Sequence, residues 1–337
     1  MAHLDRQRYA HGDVNPYYYS HSGRFYAFHN LYVQPHTHPL AHLDRQCDAH
    51  GYGNPQLHPA ASSDTHPVPN LDACPDGYTL ARANAHSHPI SMREIIYGRN
   101  PVYESLRARR RDVFRLQIAE GVQEKGRLID ILDLAGARRI PVERVPRLRL
   151  DKFSDSHQGV ALEVSGYPYV GMDDILENAN QRSEALFVLV LDSLQNPQNL
   201  GTLIRTAESV GVHGIVIPTH RAAEITPAVV SASAGASEHM LVVQANLAQA
   251  LVQMKEADAW VVGLDEAGQP LEGNGPAALQ GALVVVVGSE GEGIRPLVKS
   301  NCDFLLRLPM QGQIQSLNAS VAGSVALYLA YLARHKS

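Results

Sequence analysis

The chain has 337 residues, enough for two domains. It carries 29 basic and 34 acidic side chains, and the formal charge of −5 argues against a generic nucleic-acid binder. No apolar run is long enough to span a bilayer, and Cys47, Cys74 and Cys302 lack the close pairing of a disulfide framework or a zinc ribbon, so a reducing cytoplasm is expected.

Residues 1–91 differ from the rest. They are rich in His, Pro, Asn, Tyr and Ser, without a sustained apolar period. Ala2-His3-Leu4-Asp5-Arg6-Gln7 recurs as Ala41-His42-Leu43-Asp44-Arg45-Gln46, and two copies are too few to stack as a solenoid. The segment buries too little apolar surface to offset its ordering entropy, so it is expected to be a disordered leader. His36-x-His38 and His86-x-His88 read as compositional, and no metal site is assigned. The polar start, Met1 to Tyr9, is not a secretory signal, and Met92 is a candidate natural first residue.

From 92 to 165 the pattern is α/β. Helices are predicted over Pro101 to Arg110, with Asn100 as cap, and over Lys125 to Ala137. Strands are predicted over Val113 to Ala119, Ile140 to Val145 and Gly159 to Val164. About half of the basic side chains crowd this stretch, a local charge that suits phosphate contacts despite the acidic total. A linker over 166–183 carries a short helix near Met172 to Asn180.

From 184 onward, strands and helices alternate. Leu186 to Leu191 is a continuous apolar run, as a strand buried on both faces requires. Further strands are predicted over Gly214 to Ile217, Ala259 to Leu264, Leu283 to Val287 and Phe304 to Leu308. Helices are predicted over Leu200 to Val210, Thr226 to Ser233, Leu247 to Ala257 (capped by Asn246) and Asn318 to Arg334. This alternation implies a parallel sheet covered on both faces, with ligands beyond the carboxyl ends of its strands.

Three segments carry chemistry. Asp192 to Ala207 follows a buried strand, and in it Asn199 reads as a helix cap or a functional amide, with Arg205 two turns on in a largely uncharged helix. Gly288-Ser289-Glu290-Gly291-Glu292-Gly293 also follows a buried strand. Its glycines admit close backbone approach, and its carboxylates would repel a triphosphate but not a sulfonium cation. Leu308 to Ala322 joins a strand to the last helix, which Ser316 or Asn318 is placed to cap.

In this order, Asn199-Leu200-Gly201 with Arg205, Gly288 to Gly293, and Leu308-Pro309-Met310 with Ser316-Leu317-Asn318-Ala319-Ser320 resemble the SpoU/TrmH family of SPOUT RNA methyltransferases. The front piece, opening with Tyr97-Gly98-Arg99-Asn100-Pro101-Val102, is similar to the L30e-like substrate-binding domain of its RlmB-like ribosomal-RNA members. The resemblance implies a trefoil-knotted α/β domain behind an L30e-like α/β domain. It also implies a homodimer with the site at the subunit interface, and S-adenosylmethionine as methyl donor to a ribose 2′-hydroxyl of RNA, first of all a guanosine in large-subunit ribosomal RNA, with tRNA as the alternative. Carried over, Gly288, Leu308, Met310, Ile314 and Leu317 would hold the cofactor, and Asn199, Arg205, Glu290, Ser316 and Asn318 would form the polar site. In the front domain, Arg99, Arg107, Arg109, Arg110, Arg111, Arg138 and Arg139 are then expected to grip RNA.

Overall fold

The computed structural model describes residues 93–220, 222–271, 279–313 and 316–335. The expectations for the leader, including its disorder and its histidine pairs, and the expected cofactor contact of Ile314 lie outside the described residues.

The front lobe is built on a four-stranded sheet ordered β1-β4-β2-β3, comprising β1 (Arg93–Tyr97), β2 (Val113–Ala119), β3 (Val142–Val145) and β4 (Val160–Ser165). β4 runs antiparallel to both β1 and β2, while β2 and β3 are parallel. α1 (Arg99–Ala108) and α2 (Arg127–Ala137) bury Val102 and Leu106, and Leu128 and Ile131, against it. α1 begins at Arg99, behind Gly98 at φ 93°, so Asn100 lies inside the first turn and is not its cap. A short α3 (Arg147–Asp151) precedes β4.

The C-terminal lobe holds six parallel strands ordered β10-β8-β9-β5-β6-β7. Strands β5 (Phe187–Leu191), β6 (Gly214–Pro218) and β9 (Leu283–Val287) are buried at every position, as their unbroken apolar runs demand. β7 (Val242–Ala245) and β10 (Phe304–Arg307) are the edges, and β8 (Trp260–Pro270) outruns its prediction. Leu305 of β10 pairs with Gly263 of β8, but Leu306 pairs with Gln269, so residues 264–268 have no partner on β10 and form a bulge there, Leu264 still pairing with Val287 of β9.

Around this sheet lie α4 (Met172–Arg182), α5 (Pro197–Ser209), α6 (Pro227–Ala232), a 3₁₀ turn (Ala236–His239), α7 (Leu247–Glu256), α8 (Pro296–Lys299) and α9 (Ala319–Arg334). α5 starts earlier than the predicted Leu200, because the Asn196 side chain accepts from Gln198 N at 2.8 Å and Pro197 occupies the first helical position. α4, inside the expected linker, buries Ile175 and Ala179 in the C-terminal lobe's core. A single apolar cluster runs from Ile96, Val102 and Leu106 through Tyr167, Val230 and Met240 to Leu200 and Leu203, so the two lobes share a core.

No described helix is long and apolar enough to cross a membrane.

Candidate active site

The segments at the carboxyl ends of β8, β9 and β10 surround a cavity of about 540 Å³, the placement expected of a ligand site in a parallel sheet. Gly288, Leu308, Met310, Ser316 and Leu317 line it, with Ala319 and Ala322 of α9 forming part of its wall. The bulge in β8 supplies Leu264, Asp265 and Glu266, which the sequence reading did not single out.

Gly288 has no room for a side chain. A Cβ there would lie 2.2 Å from Gly293 C and 2.4 Å from Ile294 N. The loop folds back on itself at that point, with Ser289 and Gly293 exchanging backbone hydrogen bonds of 3.1 Å. A buried carboxylate secures its far end: Asp192, at the tip of β5, accepts from Arg295 N at 2.8 Å and Arg295 Nε at 2.7 Å. Asp192 and Arg295 were missed, although a lone aspartate ending an apolar strand is visible in the sequence.

Asn199, Glu290 and Asn318 meet. Both amides donate through Nδ2 to Glu290 Oε1, and Asn318 Nδ2 also approaches Asn199 Oδ1 at 3.3 Å. Asn318 Oδ1 accepts from Ser320 N at 2.9 Å and Val321 N at 3.3 Å, which makes Asn318, and not Ser316, the cap of α9. Asn199 lies within the first turn of α5 and is buried; Asn196 takes the capping role. Arg205 stands apart. It is exposed, does not line the cavity, and its guanidinium has no hydrogen bond or ion pair among the described residues. Next to it, Thr206 and Ser324 bring their hydroxyls to 2.9 Å and join α5 to α9.

The basic set of the front lobe is not one surface. Arg99 sits at the amino end of α1 and donates to the carbonyls of Gln158 and Lys125, at 3.4 and 3.2 Å. Arg107 and Arg109 are exposed at its carboxyl end, about 15 Å away for a helix of this length. Arg138 and exposed Arg139 close α2, and Arg138 donates to Leu106 O at 2.9 Å, which brings the two helix ends together. Burial, then the positive charge of Arg109, lowers the Arg138 pKa.

Arg110 and Arg111 correct the expectation. Arg111 is buried: its Nε and Nη2 hold the Glu238 carboxylate at 3.0 and 2.9 Å, and its Nη1 reaches Glu94 at 2.6 Å. Arg110 donates to the carbonyls of Met240 and Pro168. Their charges serve contact between the lobes, because the turn after α1 faces the 3₁₀ segment and not solvent.

The fold and site thus define a parallel-sheet α/β domain with a ligand cavity at its strand ends, joined to a basic accessory lobe. Known proteins with this plan match closely. Residues 186–328 match the SpoU rRNA methylase family, and 95–170 match the RNA 2′-O ribose methyltransferase substrate-binding family. A putative TrmH family tRNA/rRNA methyltransferase of Bacillus subtilis, YacO, is 42% identical over 248 residues, covering 72% of this chain and 96% of that protein. A Staphylococcus haemolyticus relative of the same description is 37% identical over 244 residues, covering 72% and 96%. Among solved structures, the SpoU methyltransferase AviRb of Streptomyces viridochromogenes, in complex with AdoMet, shares the fold at a TM-score of 0.58 and 21% identity, over 71% of this chain and 89% of that one. The chain belongs to the SpoU/TrmH family of RNA methyltransferases.

Proposed function

We propose that this protein transfers a methyl group from S-adenosylmethionine to the 2′-hydroxyl of a guanosine ribose in large-subunit ribosomal RNA, as a homodimer whose C-terminal lobes are trefoil-knotted. The observation that carries the reading is the meeting of Asn199, Glu290 and Asn318 at the rim of the strand-end cavity.

The residues present fit the cofactor. The volume of about 540 Å³ is in the range of small-molecule sites. The close approach at Gly288 leaves backbone, not side chain, facing the ligand. Glu290, Glu292, Asp265 and Glu266 line the cavity together with Arg307, and the excess of carboxylates favours a cationic donor. Gly288, Leu308, Met310 and Leu317 would hold the cofactor, with Ile314 from the same loop; when bound, it supplies an electrophilic methyl on a sulfonium.

Asn199, Ser316 and Asn318 orient the ribose, and Glu290 fixes both amides. A ribose hydroxyl attacks poorly unless its developing charge is stabilised. Arg205 takes that task and clamps the adjacent phosphate, since a guanidinium stays protonated and is ill suited to act as a base. A second copy brings it to the site. Val321, Val325, Tyr328 and Leu332 form an exposed apolar stripe on α9, and the Thr206–Ser324 bond sets Arg205 beside it. Arg107, Arg109, Arg138 and Arg139 grip the RNA backbone, where phosphate offsets the mutual repulsion of these clustered cations.

The name shared by the curated relatives also covers tRNA, which is the second reading. Mapping ribose methylation in total RNA from cells with and without the gene tests both. Loss of one large-subunit guanosine mark is expected. Loss of a tRNA mark moves the substrate to tRNA, and an unchanged map, with no methyl transfer from labelled cofactor, overturns the enzyme reading.

A further inference from the structure

We propose that Arg111 and Glu238 are positioning residues for methyl transfer, fixing the distance from the RNA-gripping lobe to the active-site helix α5; the proposal rests on the function given above. Each side chain is 1% exposed. Stripping two charges of water costs several kcal/mol before their attraction repays it, so apolar packing would dock the lobes at lower cost. What a two-pronged guanidinium–carboxylate contact adds is geometry, because both distance and angle are set. The third prong, Arg111 Nη1, reaches Glu94 at 2.6 Å and Ser165 O at 3.1 Å, and so ties the fork to the front lobe's β1 and β4.

Beyond the fork, the path to the site runs backbone against backbone. Gly235, at φ +91°, faces α1 so closely that a Cβ would lie 2.6 Å from Glu104 Cβ and 3.2 Å from Pro101 Cα. The α6 segment just before it rests on α5 at Gly201, where a Cβ would lie 2.5 Å from Ala232 Cβ and 2.8 Å from Ser233 N. Gly201 shares a helical turn with Asn199. Packed elements of this kind move as rigid bodies or not at all, with no flexible side-chain layer to absorb displacement. An RNA held by the front lobe therefore meets Asn199 and Asn318 at a set distance, and releasing the fork lets the lobe drift while the cofactor cavity, lined by no residue of the front lobe or of α5, stays intact.

The test compares the full-length protein with Arg111→Met, Glu238→Gln and the double variant Arg111→Met/Glu238→Met, which exchanges the ion pair for apolar side chains. Hydrogen exchange over 233–242 reads the docking; kcat on RNA, with the dissociation constant for S-adenosylmethionine, reads the site. Each single variant is expected to speed exchange over 233–242 and lower kcat by about 10–100-fold, the scale of a displacement near 1 Å. Cofactor affinity should stay within about twofold, and the double variant should recover slow exchange but not kcat, because apolar packing docks the lobes without setting their angle. Unchanged exchange in the single variants, unchanged kcat despite faster exchange, a parallel loss of cofactor affinity, or a double variant that recovers kcat each overturns the proposal. Where Arg111→Met does not fold, Glu238→Gln, which loses only the charge, decides. Absence of methyl transfer by the unaltered protein would instead sink the functional reading, and the exchange data would still judge the docking.

Discussion

Asp192 and Arg295 close the active-site loop as a latch: a fully buried carboxylate at the end of β5 receives both the backbone N–H and the Nε of Arg295, 103 residues later. The carboxylate holds the segment that begins at Gly288 against the strand from which Asn199 follows. Asp192→Asn keeps shape but loses charge. We expect it to lower stability by about 1–3 kcal/mol, the cost of spoiling a buried hydrogen-bonded pair, because Arg295 is 39% exposed and regains water. A thermal melt checks this, and an unchanged melting temperature would show that the latch contributes nothing.

Gly288→Ala places a methyl group 2.2 Å from Gly293 C, against backbone that has no rotamer to yield. Overpacking of this kind costs about 1–3 kcal/mol. Since the strain falls in the cavity wall, most of it should appear as weaker binding of S-adenosylmethionine, about tenfold or more by calorimetry. Wild-type affinity would mean that the loop does not hold the cofactor.

Arg205→Lys keeps the charge and loses the planar fork. We expect kcat to fall on the order of 10²-fold, as for removal of a preorganised donor, with cofactor affinity unchanged. Full activity in this variant or in Arg205→Ala would remove Arg205 from the mechanism.

Glu290→Gln leaves one oxygen able to accept both amides but removes the charge from that acceptor and puts an NH₂ in place of the second oxygen. A drop of about 10-fold in kcat is expected, with a smaller change in cofactor binding; rates equal to the parent would leave Glu290 a bystander. Single-turnover methylation separates the two effects.

His213 gives a pH signature unconnected with catalysis. Its ring is buried, Nδ1 accepts from Phe187 N at 2.9 Å, and Nε2 lies 2.9 Å from Glu184. Burial lowers its pKa, outweighing the hydrogen bond that Nε2 donates to Glu184, which raises it. The unfolded chain therefore takes up the proton first. The contribution is fully present above the unfolded value of about 6.5 and is lost as pH falls below it, by up to about 1.4 kcal/mol per pH unit. Denaturant midpoints at pH 7.5 and 5.5 should differ, and His213→Gln should shrink that difference. An equal difference in the variant would assign the pH effect elsewhere.

Strands buried on both faces are easy to read: β5 and β9 fall where their apolar runs put them, and Asn246 caps α7 as its position before a periodic segment implies. Short elements without a period are not. β1 and β7 span few residues, and their strand character comes from partners such as β4 and β6, far away in the chain. The start of α5 was legible in Asn196-Pro197 and was passed over in favour of Asn199. The grouping of Asn199 with Glu290 and Asn318 is implied by the family resemblance and not by spacing, and charge clustering misleads at Arg110 and Arg111. Nothing local marks Arg111 as buried, since its carboxylate partner lies 127 residues downstream.

Asn318 illustrates how little latitude such a site leaves. Its oxygen starts α9, which carries the apolar stripe, while its nitrogen steadies Glu290. Aspartate or serine would preserve the first duty and forfeit the second; glutamine would retain an amide but overshoot the turn. A single small side chain thus couples the start of the last helix to the carboxylate that gathers two amides, and no substitution at that position keeps both.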